Sequence, residues 1–434
     1  MGEIVSIDRL LNAATALQAE AAPWAGSLRE QGREKFAALG IPDRRLESWK
    51  YSDLAVALTK APAKSGEDLP VLRAPLGLDG AYVAVFENGV FDVGRSTLPE
   101  DCLVPLSKVL SDSTSPFADT IGQINWAEQK GHPILGLNTA QMNQGFVLRV
   151  PKGETLATAL HIRFNWTPEE EPGLDGQHVR LLVELESGAE ATILETHSGT
   201  PVFSTVVSEL RLAETAKLTH VRIDQLSAAA RQTAVTLGEL SKAAQYKGFF
   251  LSEGGFFCRH EALFELIGED ANVEIDGAFL VSGASHCDNT TVITHAAPHT
   301  TSRQAFRGVL SGESKSAYQG CVKVRQEAQK TNAYQMSRAL LLSPEARIAT
   351  KPELEIFADD VKCSHGATAG ELDANALFFL RSRGIPETEA RAMLVEAFLQ
   401  EALDTIERAD LKEVAAGAIR DWLAVHTTEV THAG

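Results

Sequence analysis

Leu185-Glu-Ser-Gly-Ala-Glu190 is an apolar-led turn that the chain writes again as Leu212-Ala-Glu-Thr-Ala-Lys217, Leu240-Ser-Lys-Ala-Ala-Gln245 and Ile267-Gly-Glu-Asp-Ala-Asn272. The leading residues, 185, 212, 240 and 267, lie 27, 28 and 27 positions apart. A loose copy, Leu310-Ser-Gly-Glu-Ser-Lys315, and a closer one, Leu342-Ser-Pro-Glu-Ala-Arg347, continue the series at intervals of 43 and 32. Segments of β pattern bracket each turn, such as Val179-Arg-Leu-Leu-Val-Glu-Leu185 and Ala271-Asn-Val-Glu-Ile-Asp-Gly-Ala-Phe-Leu280. A fixed period in this range means stacked units that bury a core only against their neighbours. With strands in each unit, the stack is a β-solenoid. A β-sandwich would instead place turn signals every 8–12 residues, with no longer repeat. From His178 to His365 the period predicts about seven coils, which at about 4.8 Å each make a stack about 33 Å long.

The last coil carries the most distinctive residues. In Lys351-Pro-Glu-Leu-Glu-Ile-Phe-Ala-Asp-Asp-Val-Lys-Cys-Ser-His-Gly-Ala-Thr368 the first half alternates as a strand does, Leu354 and Ile356 to one side, Glu353, Glu355 and Phe357 to the other. Cys363 and His365 are two apart, so an extended chain sends both side chains from one face, with Cα atoms about 6.6 Å apart. A thiol and an imidazole are two ligands, and tetrahedral metals want four. A firm site would need a second chain to bring the rest. The bare residues are also compatible with a structural role.

Helical material flanks the repeat. Ile7, Leu10, Leu11, Ala14 and Leu17 share one helical face behind the potential cap Ser6, and a second helix runs from about Ser27 to Leu39. Trp49 and Tyr51 read as a packing anchor. Residues 61–77, rich in Pro, Gly and Lys, read as a linker, and Pro168–Gly173 as an acidic turn. Asn88-Gly89 between two β-patterned runs signals a two-residue hairpin. Beyond the repeat, Asp373 can cap a helix carrying Leu377, Phe378 and Leu380, Pro386 opens a longer one, and a third spans Leu411 to Val425. These helices suit either a self-contained bundle or a docking module. The division expected is an N-terminal helical part (1–77), a β-helix core (78–365) and a C-terminal helical part (366–434).

The 434 residues carry a formal charge of −18, which argues against nucleic-acid and anionic-membrane partners. Five scattered cysteines without Cys-x-x-Cys suggest reduced thiols. No signal-peptide pattern and no run of 18 apolar residues is visible, so a cytoplasmic protein is expected. Phosphate-binding loops, nucleophile elbows and His-Glu-x-x-His helices are missing from the sequence. Cys258-Arg-His260 repeats the Cys-x-His spacing but reads as strand core. His286, Cys287, Asp288, His295 and His299 cluster in sequence at spacings that fit no zinc template.

One resemblance draws these pieces together. Thr350 to Thr368, with its Lys362-Cys-Ser-His-Gly-Ala-Thr368, resembles the SufD branch of the SufB/SufD family of iron–sulfur cluster assembly proteins. So do Gly370-Glu-Leu-Asp373, Leu377-Phe-Phe-Leu-Arg-Ser-Arg-Gly-Ile385, Glu47-Ser-Trp-Lys-Tyr-Ser-Asp53, His295-Ala-Ala-Pro-His-Thr-Thr-Ser302, Gln329-Lys-Thr-Asn-Ala-Tyr-Gln335 and Leu340-Leu-Leu-Ser-Pro-Glu-Ala346. The sister SufB branch lacks the Lys-Cys-Ser-His-Gly-Ala-Thr signature. The resemblance implies a right-handed parallel β-helix between helical N- and C-terminal domains, and a scaffold without turnover of its own. It implies that the β-helix edge pairs with SufB and that the C-terminal helices dock the ATPase SufC. Phe398 and Leu403, on the long C-terminal helix, are the docking candidates. Cys363 and His365 would lie at the SufB interface, as candidate ligands for iron or a nascent cluster. No cofactor is expected in the isolated chain, which is expected to form a homodimer through its unoccupied edges. The competing readings, a β-helix carbohydrate-active enzyme and a free-standing thiol/metal enzyme, would require an Asp cluster on one coil face and a fuller ligand set respectively.

Overall fold

Each repeated turn carries the chain from one parallel sheet to another. The computed structural model describes residues 6–12, 21–60, 76–99, 101–124, 131–167 and 177–426. Successive strands from Gln177–Leu185 to Lys362–Gly370 alternate between a nine-stranded and a ten-stranded sheet, and each pairs in parallel with the strand two further on. One coil is therefore two strands of about ten residues and two short turns. Seven such coils make a β-solenoid, with helices before and after it.

The register explains why the turns begin with an apolar residue. Leu185, Leu212, Leu240, Leu266, His295, Val324 and Ile356 form one column across the nine-stranded sheet. All but the last are buried. Leu266, not Ile267, holds the fourth place, and Ile267 is pushed out to solvent by one extra turn residue. The stretched intervals also have a cause. Leu310 ends a strand of the ten-stranded sheet and pairs with Leu341, so the turns after these two residues belong to the opposite edge of the solenoid. On the first edge the later turns start at His295 and Val324, and the period holds.

A left-handed residue sits at one position in every first-edge turn from the first coil to the sixth: Gly188, Thr215, Ala243, Asp270, His299 and Lys330, with φ between 54° and 72°. Five of the six are not glycine, a conformation that costs about 1–2 kcal/mol. The first five donate their backbone N–H to the carbonyl just before the equivalent residue one coil on, Gly188 to Glu214, Thr215 to Lys242, Ala243 to Glu269, Asp270 to Pro298 and His299 to Gln329, and Lys330 donates to Asp360 in the last turn. Stacking offsets the strain.

The two outer faces are covered by the two ends of the chain. Over the nine-stranded sheet lie the helices Pro23–Leu39, Leu54–Thr59 and Pro133–Gln141, with the extended segment between Ile41 and Asp53. Trp49 is fully buried, stacked on Phe257 at 6.4 Å with the Arg259 guanidinium 4.4 Å from its ring. Arg259 also donates to the Ser48 carbonyl, Ser52 to Asp288, Arg231 to the carbonyls of Ala57 and Lys60, and Lys351 to Glu47. Trp49 thus anchors a strap along five strands. Over the ten-stranded sheet lie the helices Glu387–Leu403 and Ala409–Val425, whose Val395, Leu399, Leu411, Ile419 and Trp422 pack on Leu194, Val221, Ile223, Phe249, Leu251 and Leu280. They close the fold and are not a separate bundle.

Local signals behave as their chemistry dictates. Ser6 Oγ accepts from the Arg9 N–H, and Asp373 from the Asn375 N–H. Asn88 and Gly89 both take positive φ, the hairpin requirement. Ala14 and Leu17, residues 61–75 of the expected linker, and the acidic turn from Pro168 lie outside the described residues. Strands already join the sheets at Tyr82–Glu87, Gln144–Val150 and Leu160–Trp166, and the last strand runs to Gly370.

Candidate functional site

The solenoid ends in two strands whose outer edges pair with nothing among the described residues: Arg347–Ile356 on the nine-stranded sheet and Lys362–Gly370 on the ten-stranded one. Cys363 is in register with Ala333 and His365 with Gln335, both buried inward-facing residues. Cys363 and His365 therefore belong to the inner face, at a level where no further coil covers it. Cys363 is half-buried among Val322, Val324, Ala328, Ala333 and Val361, and His365 is exposed. Burial pushes the Cys363 thiol above its usual value, against a smaller opposing effect of a backbone hydrogen bond from Ala333. A neutral thiol is the resting state, and a soft metal would bind it with loss of the proton. Around the pair, Ile356 is 39% and Phe357 69% exposed.

The donor set suits iron, for which thiolate and imidazole are both ligands. It is two donors on one open face, and a partner has room to bring others.

The other sequence candidates separate. His295 faces inward with Thr300 Oγ1 at 2.8 Å from Nδ1 and Ser302 Oγ at 2.9 Å from Nε2. His286 faces outward, 2.8 Å from Ser52 Oγ and stacked on Phe257. His299 is a left-handed turn residue, Asp288 pairs with Arg259, and Cys287 is buried inside. Cys258 lies in the core and His260 beside the Thr236 hydroxyl at 3.0 Å. Among the described residues no three His, Cys, Asp or Glu side chains gather as a metal site.

Deep in the early coils, Glu195 bonds Arg222 at 2.5 Å, His197 at 2.7 Å and His220 at 3.1 Å. Burial pushes its carboxyl up, and these partners together outweigh it and hold the group well below the usual range. Nothing in the sequence marks this cluster as interior, since its residues alternate like those of a half-exposed strand.

Leu403, expected as a docking residue, is instead 1% exposed and packed into the seam with the ten-stranded sheet, so it offers a partner no surface. Phe398 is half-buried beneath the Arg307 guanidinium, 5.1 Å from its ring. The exposed apolar groups of the first two C-terminal helices include Phe378 (73%), Phe379 (53%) and Met393 (44%). The helix Ala374–Ser382, which carries the two phenylalanines, has no buried residue.

Residues 166–398 match the family described as "SUF system FeS cluster assembly, SufBD core domain". The chain belongs to the SufB/SufD family. It is 31% identical to an iron–sulfur cluster assembly SufBD family protein of Synechocystis, over 92% of this chain and 90% of that one. It is 29% identical to the iron–sulfur cluster assembly protein SufD of Escherichia coli, over 88% of this chain and 90% of that one. The SufD of Bacillus subtilis is 24% identical over 96% and 98%. This SufD-like chain shares its family's role in iron–sulfur cluster assembly. Among the described residues no helix is long and apolar enough to cross a membrane.

Proposed function

We propose that this chain is a non-catalytic scaffold subunit of a SUF-type assembly complex. Its terminal coil pairs with a SufB subunit, and its C-terminal helices dock the SufC ATPase. The observation that carries this reading is the open end of the solenoid, two long unpaired strands with Cys363 and His365 on the inner face between them. Unpaired edges of that length invite another β chain, and a two-ligand site at the same level gains its missing donors from that chain. Cys363 would supply a thiolate and His365 an imidazole to a cluster assembled there as cargo. The ATPase meets Phe378 and Phe379, exposed apolar side chains of the helix Ala374–Ser382, with the half-buried Phe398 on the following helix as the further docking candidate. Without SufB, two copies of this chain occupy each other's edges as a homodimer.

The test is co-expression with SufB and SufC and purification on a tag carried by this chain. Recovery of both partners, loss of SufC alone with Phe378→Asp, and loss of cluster yield alone with Cys363→Ala plus His365→Ala would support the reading. Full cluster yield from that double variant would remove the pair from the chemistry.

A further inference from the structure

Gln304, Gln335 and His365 stand in one register column on the inner face of the last three strands of the ten-stranded sheet. In-register parallel strands hold such side chains about 4.8 Å apart. Between the first two the gap is already bridged: Gln335 Nε2 donates to Gln304 Oε1 at 3.1 Å. Gln304 Oε1 also accepts from Thr291 Oγ1 at 3.2 Å, so it receives two donors. The Gln335 amide is thereby oriented, its nitrogen committed toward the previous coil.

Its oxygen is left over. Gln335 is 0% exposed, and its Oε1 has no hydrogen-bond partner among the described residues. A buried acceptor in that condition is destabilising until something donates to it. Space beside it is kept by Gly320 on the facing sheet, where a Cβ would sit 3.1 Å from Gln335 Oε1 and 2.9 Å from the Tyr318 hydroxyl. The next side chain in the column is the His365 imidazole, one strand further on.

We propose that Gln335 is a positioning residue for His365. When a partner covers the end of the solenoid, the imidazole donates one ring N–H to Gln335 Oε1 and presents its other nitrogen to the shared site. This rests on the reading of Cys363 and His365 as half of a cluster-forming site. A neutral imidazole without such a partner exchanges its proton between two nitrogens, and a given lone pair is available only part of the time. A carbonyl acceptor on one nitrogen fixes the tautomer and the ring plane, as the outer partners of metal-binding histidines do. The bond would also satisfy the leftover amide oxygen, so closure of the end and orientation of the ligand become one event.

The experiment titrates cobalt(II) chloride into the complex of the full chain with SufB and follows the visible ligand-field absorption. Gln335→Met keeps the side-chain length and removes the acceptor; it should weaken cobalt binding about tenfold or more and alter the band shape. Gln335→Glu, which keeps an acceptor oxygen, should stay close to the unaltered complex. Cobalt binding that needs His365 but is untouched by Gln335→Met would overturn the positioning role alone. Cobalt binding unchanged by His365→Ala would overturn the site reading, and this proposal with it. Should Gln335→Met fail to fold, ¹⁵N-histidine NMR of the unaltered complex decides: one tautomer for His365 supports the bond, an averaged pair overturns it.

Discussion

The two ends of the solenoid are finished in opposite ways. At the first end the ten-stranded sheet turns back on itself through the antiparallel strand Val90–Thr97, whose pairing slips between Val83 and Val85. The nine-stranded sheet stops at a three-residue antiparallel strand, Leu103–Pro105. Short, bulged, antiparallel edges resist further pairing. The interior there is plugged by Phe86, which stacks on Phe91 at 4.9 Å and on Phe164 at 4.5 Å. At the last end the strands are ten and nine residues long and parallel, and the interior finishes in Ala, Cys, His and a half-uncovered Ile356. One end is sealed by the chain itself, and the other is shaped to be sealed by something else.

The largest expected effect tests what holds the closed parts closed. Truncation after Glu371 removes the helices that cover Val221, Ile223, Phe249, Leu251 and Leu280. The remaining solenoid would expose one continuous apolar face, so soluble aggregates and binding of a hydrophobic dye are expected. A monodisperse truncated chain would show that the outer seam is dispensable.

Next come matched substitutions at the two ends. Phe86→Ala, in the sealed plug, should cost about 3–5 kcal/mol. Ile356→Ala, at the open end of the buried leucine column, should cost at most about 1 kcal/mol in the isolated chain. Urea midpoints measure both, and equal losses would break the contrast. In a complex with SufB the second cost should grow.

Acid should act on the closed interior. Burial pushes the His295 imidazole down to about 4, against about 6.5 for an unfolded chain. Between these values the unfolded chain takes up a proton that the folded state refuses. Stability therefore falls as pH falls through that window, by up to about 1.4 kcal/mol per pH unit for this group. His295→Gln should flatten the dependence by one proton's worth in unfolding curves from pH 7 to pH 5. An unchanged slope would mean that the imidazole is not held neutral.

The smallest effect on stability is expected at the open end itself. Cys363→Ala with His365→Ala should change the isolated chain by about 1 kcal/mol or less. Subunit stoichiometry should hold while cluster yield on the purified complex falls sharply. Lost assembly would reassign the pair to packing.

The solenoid was readable because its turns share a physical requirement: an apolar residue that enters the stack, then a small or polar one that turns left. The same requirement misled at Leu310 and Leu342, because both edges of a two-sheet coil want similar turns, and composition does not say which edge a turn lies on. Cys363 and His365 were placed on one face by the period of two alone. Gln335 was not readable, since an inward glutamine on a terminal coil looks like any polar residue of an alternating strand until its register with Gln304 is known. Leu403 was read as available because helical periodicity gives the apolar side of a helix without saying which surface that side meets.

The left-handed turn ladder has a consequence for how the chain is made. Each left-handed residue's N–H, from Gly188 to Lys330, finds its acceptor 26 to 30 positions later, from Glu214 to Asp360. On the ribosome, that acceptor is always made after its donor. A coil is completed only by the next one, so the growing edge of the nascent solenoid is always unfinished and always the same in kind. Coil addition stops at that edge without closing it, and the chain goes on into the C-terminal helices. The open end of the mature solenoid is, in this sense, the growth front of its own folding, preserved.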